Sequence, residues 1–361
     1  MALQSPAASC AISVVIPMYN AEKYIVESLD SIFLQTFQDF EVILINDCST
    51  DNSRQVAESC LEKFGGRLKI YDNTKNSNAA ATRNKGLLLS RGEYIYFLDS
   101  DDMLMLNGLE KMYTAAKEFD ADVVSLGGFY EISEDATEIL SVKNRNGKIF
   151  KGIKEEIFAE EDLSWRLNRE SLSDTFYSVP WLRLFRRDFL IANELFFPEN
   201  ISSCEDVVWK HGFLFLAKKI VHLKDILNFY RMTGDSLTRQ QRTNEQYINY
   251  RMHTLFYGMN WIDEVMDKVD FFKQNPHYRY EVLKDFANNM FFRLLLTVRV
   301  RNWSSDKVYE LVRQEFGKEF GENDVLLSVL CSMASKYRKN VEDDEEHIAE
   351  LKERLKRGGT L

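Results

Sequence analysis

The sequence lacks most of what would tie a chain to a metal cage, a disulfide scaffold or a membrane span. Its five cysteines, Cys10, Cys48, Cys60, Cys204 and Cys331, stand far apart with no CxxC pair and an odd total. That pattern excludes a zinc ribbon and fits reduced thiols in a cytosolic protein. The five histidines show neither HxxxH nor HExxH spacing, which argues against a zinc hydrolase. No apolar run reaches the roughly 18 residues a spanning helix needs. The richest stretch, MFFRLLLTVRVRNW from Met290, is broken by Arg293, Arg299 and Arg301. The N-terminal MALQSPAASCAISVV has no basic segment followed by a long apolar one, so no signal peptide is expected. Positive charge is not in excess either: 46 Lys and Arg stand against 56 Asp and Glu, a net charge of −10. Such a chain is a poor general binder of nucleic acid, and none is expected as a partner. Anionic substrates remain open, because a metal ion can supply positive charge. With only 5 Pro and 16 Gly, the chain is neither collagen-like nor low in complexity.

What is present is an ordinary folded composition, 361 residues with 45% apolar and 28% charged. At about 150 residues per domain, two domains or one large domain with an appendage are expected. The first 130 residues alternate short β-branched runs with amphipathic stretches. Strands are predicted at ISVVIP (12–17), EVILIN (41–46), LKIYDN (68–73), EYIYFLD (93–99) and DVVSLGGFYEI (122–132), with helices near 22–35, 53–64, 79–90 and 106–119. That alternation predicts a mostly parallel α/β sheet with helices on both faces. Ligands in such sheets bind beyond the carboxyl ends of the strands, so the polar residues that follow each strand are the candidates. A turn is expected at NRNGK (144–148), and the pattern becomes helical and aromatic-rich beyond Gln240. Five acids (342–346) precede HIAELKERLKR, where Ile348, Leu351 and Leu355 share one helical face.

The fourth strand ends in YFLDSDD, with Asp99 and Asp101 two residues apart as a buried strand leaves the sheet. Hard oxygen ligands so placed suit Mg²⁺ or Mn²⁺; the bland alternative is a helix N-cap at Asp101 or Asp102. After the second strand comes NDCSTDNS. Asp47 there can accept the N–H of a base or belong to a turn, while Asp51 and Ser53 read as cap and turn. In SSCEDVVW, Ser203 and Asp206 have capping-box spacing. A carboxylate at a helix N-terminus is also held in its charged form, which a general base requires. Arg183, Arg186 and Arg187 in WLRLFRRDF stand at helical spacing, either as a solvated face over Trp181, Leu182 and Phe185 or as acceptor or diphosphate contacts. Arg231 and Ser236 are candidates to close over a diphosphate, whereas His211 and His222 read as structural.

In this order the pieces resemble the family 2 glycosyltransferases, the inverting family with a GT-A fold. The pieces are ISVVIPMYNAEKYIVESLDSIFLQTF, VILINDCSTDNS, NSNAAATRNKGL, GEYIYFLDSDD, WLRLFRRDFL, CEDVVW and FYRMTGDSLT. The resemblance covers residues 12–240 and implies a nucleotide-binding half (12–130) and an acceptor-side half (131–240). A tail (1–11) precedes them, and a helical C-terminal domain (241–361) follows. The resemblance places Pro17, Tyr19, Glu22 and Asp47 at the base and ribose, with Asn78, Arg83, Asp99 and Ser100 also on the donor side. It makes Asp101 the metal ligand for Mn²⁺ or Mg²⁺, Asp206 the general base, and Glu205 an acceptor contact. One departure is that NSNAAATRN has no glycine where the family often has one. The implied activity is transfer of a sugar from a nucleotide sugar, UDP-linked, to a saccharide or lipid-linked saccharide acceptor, as in bacterial surface polysaccharide synthesis. The implied location is cytoplasmic. The C-terminal helices offer a homo-oligomer face or a peripheral contact at the inner membrane surface. The competing reading is a non-catalytic carbohydrate-binding or scaffold protein on the same fold.

Overall fold

The computed structural model describes residues 9–144, 155–159, 178–201, 204–234 and 244–300. The NRNGK turn beyond Asn144, Ser203, Ser236 and the acidic C-terminal stretch lie outside the described residues. The chain divides into two compact units. One comprises residues up to Glu199 together with Trp209–Thr233, the other Asn200–Val208 and everything from Gly234 on.

In the first unit, β-branched runs become strands because apolar side chains of both pleat faces can be buried. β1 (Cys10–Met18) and β2 (Phe40–Asn46) are almost wholly buried, as strands covered on both faces must be. They pair in parallel, with Met18 opposite Asn46. β3 (Leu68–Asp72) pairs in parallel with β2, and β4 (Gly92–Phe97) pairs in parallel with β1. The helices α1 (Ile25–Phe33), α2 (Ser53–Glu58), α3 (Leu61–Phe64) and α4 (Asn78–Leu89) form the crossovers. α1 buries Ile25, Ser28, Leu29 and Ile32, the spacing of one helical face. Gly92 opens β4 where a Cβ would lie 2.3 Å from the Ser13 backbone nitrogen, so only glycine lets β4 lie against β1 there.

Beyond β4 the sheet becomes mixed. β5 (Met103–Leu104), α5 (Gly108–Glu118), β6 (Val123–Ile132), β7 (Ile139–Asn144) and β8 (Glu155–Ala159) follow, then β9 (Arg183–Arg186), α6 (Arg187–Ala192), α7 (Glu205–Leu216) and β10 (Lys219–Arg231). The strand order is β3-β2-β1-β4-β9-β6-β10-β5, with β7 on β6 and β8 on β10. β9 runs antiparallel between β4 and β6. The expectation that Arg183, Arg186 and Arg187 share a solvated helical face is therefore corrected. Arg183 lies in a central strand and is 1% exposed, its guanidinium 4.7 Å from the Phe213 ring centre and bonded to the Val179 carbonyl at 2.8 Å. Arg187 opens a short helix and is also buried. Trp181, Leu182 and Phe185 do lie in the core.

At the amino ends of the strands sits a buried carboxylate that spacing did not reveal. Glu41 accepts hydrogen bonds from Ser13 Oγ (2.8 Å), Arg91 N (2.7 Å) and Lys69 Nζ (2.8 Å). Burial pushes its pKa up, but the bonds from Lys69, Ser13 and Arg91 win and hold it below the usual carboxylate value.

The described helices of the second unit are α8 (Asn244–Asp267), α9 (Asp270–Gln274) and α10 (Pro276–Val300), the last opened by a proline whose missing N–H costs nothing there. α8 buries Met252, Leu255, Phe256, Met259 and Ile262, and α10 buries Val282, Leu283, Phe286, Ala287 and Met290. At Gly258 a Cβ would meet Phe286 and Val208, both at 2.8 Å, so glycine lets these three segments close up. Among the described residues no helix is long and apolar enough to cross a membrane.

Candidate active site

β1 has β2 on one side and β4 on the other, so the strand order reverses at β1, the place beyond whose carboxyl end such sheets bind ligands. Pro17, Tyr19, Glu22, Asp47, Asn78, Arg83, Asp99, Ser100 and Asp101 all sit in or next to the loops at that end of the first unit. Tyr19 is 51% exposed.

The loops after β1 and β2 are laced together. Asn20, at φ 49°, accepts the Thr50 N–H at 2.8 Å, and its own N–H donates to Ser49 Oγ at 3.0 Å. Glu22 Oε2 accepts from the backbone and side-chain nitrogens of Asn52 at 2.9 and 3.1 Å. Asp51 accepts from Ser53, and from the Glu22 N–H at 3.2 Å, which is the cap-and-turn role read for it. Asp47 is buried, and its Oδ1 accepts from Asn73 Nδ2 at 2.7 Å and from the Ser77 N–H at 2.8 Å. Those bonds fix the orientation of its carboxylate. Asn78, at φ 69°, caps α4 through the Ala81 N–H (3.1 Å) and donates to the Glu199 carbonyl (3.0 Å).

Two candidates are brought into direct contact. Arg83 Nη2 donates to Asp99 Oδ1 at 2.7 Å, and its guanidinium carbon lies 5.5 Å from the Phe197 ring centre. The arginine side chain is 7% exposed and the aspartate 29%, so the arginine is buried and its partner reaches the surface. Beside it, Asp101 is half-buried, Ser100 is 9% exposed and Asp102 is 1% exposed. Burial first, then the charges of Asp101 and Asp99, push the Asp102 carboxyl well above the ordinary carboxylate range. Its Oδ1 accepts the Arg231 N–H at 2.9 Å, while its buried Oδ2 has no hydrogen-bond partner among the described residues.

A divalent cation fits this donor set only in part. Among the described residues no cluster of three or more His, Cys, Asp or Glu could cage an ion. Asp101, with Asp99 as its neighbour, offers the one or two carboxylates with which Mg²⁺ or Mn²⁺ is ordinarily held, substrate phosphates and water completing the shell.

Sequence reasoning missed the place of Arg231. It is 1% exposed and committed to protein partners: Asp101 O at 2.9 Å, Glu134 O at 2.6 Å and Glu27 Oε2 at 2.5 Å, with the Tyr24 ring centre 5.2 Å away. It is a strut under the DSDD loop, and no spacing in the sequence announces that role.

Glu205 and Asp206 lie in the second unit, in the first turn of α7. Cys204, at φ 56°, turns the chain into the helix, and Asp206 Oδ1 accepts the Val207 N–H at 2.8 Å. An acid there faces the positive end of the helix dipole.

The family model for "Glycosyl transferase family 2" matches residues 13–192. The glycosyltransferase GlyG of Streptococcus pneumoniae is 32% identical over 231 residues, 64% of this chain and 73% of GlyG. The chain belongs to glycosyltransferase family 2. Staphylococcus aureus TarS 1–349 in complex with UDP superposes with a TM-score of 0.60 at 22% identity, over 82% of this chain and 76% of that one. The TarS complex with UDP-GlcNAc gives 0.52 at 20% identity, over 87% and 93%. At those identities the likeness shows the fold: a GT-A-like, mostly parallel α/β sheet followed by helices.

Proposed function

We propose that the chain transfers a sugar from a UDP-sugar, UDP-GlcNAc or a close hexosyl analogue, to a saccharide or lipid-linked saccharide acceptor, inverting the anomeric centre. The observation that carries this reading is the Arg83–Asp99 pair beside Asp101 at the point where the strand order reverses. GlyG is by name a glycosyltransferase, and TarS is by name a poly(ribitol-phosphate) β-N-acetylglucosaminyltransferase crystallised with UDP and UDP-GlcNAc.

In this reading Asp47 accepts the N–H of the uracil base, while Pro17, Tyr19 and Glu22 border base and ribose. Arg83 offers positive charge to the diphosphate and holds Asp99 toward ribose or sugar, with Ser100 and Asn78 on the same side. Asp101 would hold Mn²⁺ or Mg²⁺, which would supply positive charge where the departing diphosphate becomes more negative. Asp206 takes the proton of the acceptor hydroxyl as its oxygen bonds to the anomeric carbon and the bond to the diphosphate oxygen breaks. Glu205 lies where acceptor hydroxyls approach. One displacement turns an α-linked donor into a β-linked product, and no covalent glycosyl-enzyme forms.

Two substitutions test the reading. Asp101→Ala is expected to bind UDP with the same affinity in Mn²⁺ and in chelator, whereas the parent binds more tightly with metal; calorimetry showing a metal-independent parent would refute the metal assignment. Asp206→Asn keeps shape and some capping ability but cannot accept the proton. Losing a general base costs about 10²–10⁴-fold in rate, whereas losing a cap costs about 0.5–2 kcal/mol of stability. A folded Asp206→Asn protein with near-normal UDP binding and turnover down by those orders is expected. A lower melting temperature with turnover within about threefold of the parent, far short of that loss, ends the base assignment. A parent that neither hydrolyses nor transfers UDP-sugars would leave only the binding-protein reading.

A further inference from the structure

The chain leaves the first unit after Glu199 and returns to it at Trp209, and the segment between carries Asp206 in the first turn of α7. Its two ends are fastened together inside that unit. Phe197 and Trp209 stack with ring centroids 4.0 Å apart and planes 16° from parallel, and Trp209 Nε1 donates to the Leu195 carbonyl at 3.2 Å. Both rings are fully buried. The Phe197 ring packs against Phe97 and Trp209, and its backbone is held by one amide side chain. Asn84 Oδ1 accepts the Phe197 N–H at 2.8 Å, and Asn84 Nδ2 donates to the Phe197 carbonyl at 2.9 Å. The same Nδ2 donates to Glu199 Oε1 at 2.9 Å. Asn84 thus imitates a strand partner for a single residue, using both ends of its amide from a site 4% exposed. It is the residue after Arg83 on α4, so the helix that offers Arg83 to the donor also fastens the base of the acceptor-side loop.

We infer that Asn84 is a positioning residue for the reaction: through Phe197 and Trp209 it fixes the closure of the loop that presents Asp206, and so sets where the base stands. The inference rests on the base assignment proposed for Asp206. It differs from a plain stability role because its effect must pass through that carboxylate. An alanine at position 84 leaves a buried N–H and a buried C=O of Phe197 without their partner, and the loop ends are free to shift. A shift of about 1 Å in a reacting group can cost about 10²-fold in rate.

The test uses the full chain with Mn²⁺ and UDP-GlcNAc, reading hydrolysis with water as acceptor, UDP affinity by calorimetry, and the melting temperature. Asn84→Ala is expected to bind UDP within about threefold of the parent while turnover falls toward about 10²-fold below it. In an Asp206→Asn background the same substitution should cost nothing further, since residues that act as one unit are not additive. Trp209→Phe keeps a ring to stack on Phe197 and removes the bond to Leu195 together with part of the ring system packed against Phe97, Phe185 and Phe213; it should show a smaller loss that likewise vanishes with Asp206→Asn, which serves if Asn84→Ala folds poorly. Turnover of Asn84→Ala within about threefold of the parent, well short of the expected loss, overturns the inference. So does a loss that persists undiminished in the Asp206→Asn background, or UDP affinity falling in step with rate, which would mean that Asn84 acts through Arg83. If Asp206→Asn alone turns over like the parent, the base reading itself fails and this one falls with it. An inactive Asp206→Asn beside a fully active Asn84→Ala removes only the positioning role.

Discussion

Residue by residue, the loops at the carboxyl ends of the parallel strands are built from side chains that hold the fold, and the proposed function gives some of them a second obligation, to the ligand. Asp47 and Asn78 make hydrogen bonds that shape loops, and both are proposed donor contacts. Arg231 is given only the first obligation. Its guanidinium reaches Asp101 O, Glu134 O and Glu27, while its backbone N–H meets Asp102. A lysine has one point of charge and cannot span three such acceptors. Arg231→Lys is therefore expected to lower the melting temperature, because bonds made by a side chain only 1% exposed are lost. It should also weaken UDP binding several-fold as the DSDD loop loosens. Calorimetry and a thermal melt on the purified variant check this, and a melting temperature and UDP affinity equal to the parent's would show that the strut is dispensable. Asp47, Asp99 and Asp101 could be singled out in the sequence because each follows a strand that β-branched runs announce. Arg231, Asn84 and Glu41 were not, because their partners lie far along the chain and nothing local encodes the meeting.

Among the elements, the parallel half was the most legible part of the fold. Predicted strand limits of 41–46 and 68–73 meet observed strands Phe40–Asn46 and Leu68–Asp72, since uniform burial of β-branched residues leaves little choice. β9 was misread because three arginines at positions 183, 186 and 187 imitate a solvated helical face. Its central place in the sheet overrode that local pattern, burying Arg183 over an aromatic ring instead. The same neighbourhood sets an acid limit on stability. His222 in β10 is 2% exposed, and burial first, then the Arg183 charge, depress its pKa from 6.5 to about 3. The folded value lies below the unfolded one, so the neutral ring contributes stability that is complete above about pH 6.5. That contribution is lost as pH falls toward 3, because the unfolded chain takes the proton first. The loss approaches about 1.4 kcal/mol per pH unit well below 6.5. His222→Gln, which cannot titrate, is expected to close its stability gap to the parent between pH 6.5 and 4.5. Melting curves across that range decide it, and a gap constant with pH would show that the ring is not the acid-sensitive group.

At the scale of the whole molecule, the two compact units do not divide the chemistry at one point in the sequence. The strand-end acids that would hold a donor belong to the first unit, whereas Asn200–Val208, which carries Asp206, groups with the helices after Gly234. The packing behind that grouping is concrete. Val208 and Phe286 close around Gly258, and Arg251 Nη1 lies 3.4 Å from Cys204 Sγ. The helices α8 and α10 thus act as the bed on which the turn carrying Asp206 rests. Removing them takes away the far side of that turn while leaving every strand of the parallel half, and every loop at its carboxyl ends, in the chain. A protein ending at residue 240 is therefore expected to keep UDP binding within a few-fold of the parent and to lose turnover by as much as Asp206→Asn does, about 10²–10⁴-fold. Solubility is a separate matter, since Val208 would be uncovered and invite association. UDP titration and UDP-GlcNAc hydrolysis on the truncated and full-length proteins, at matched monomer concentration, separate these effects. Full turnover from the truncated protein would show that the turn carrying Asp206 stands without its helical bed.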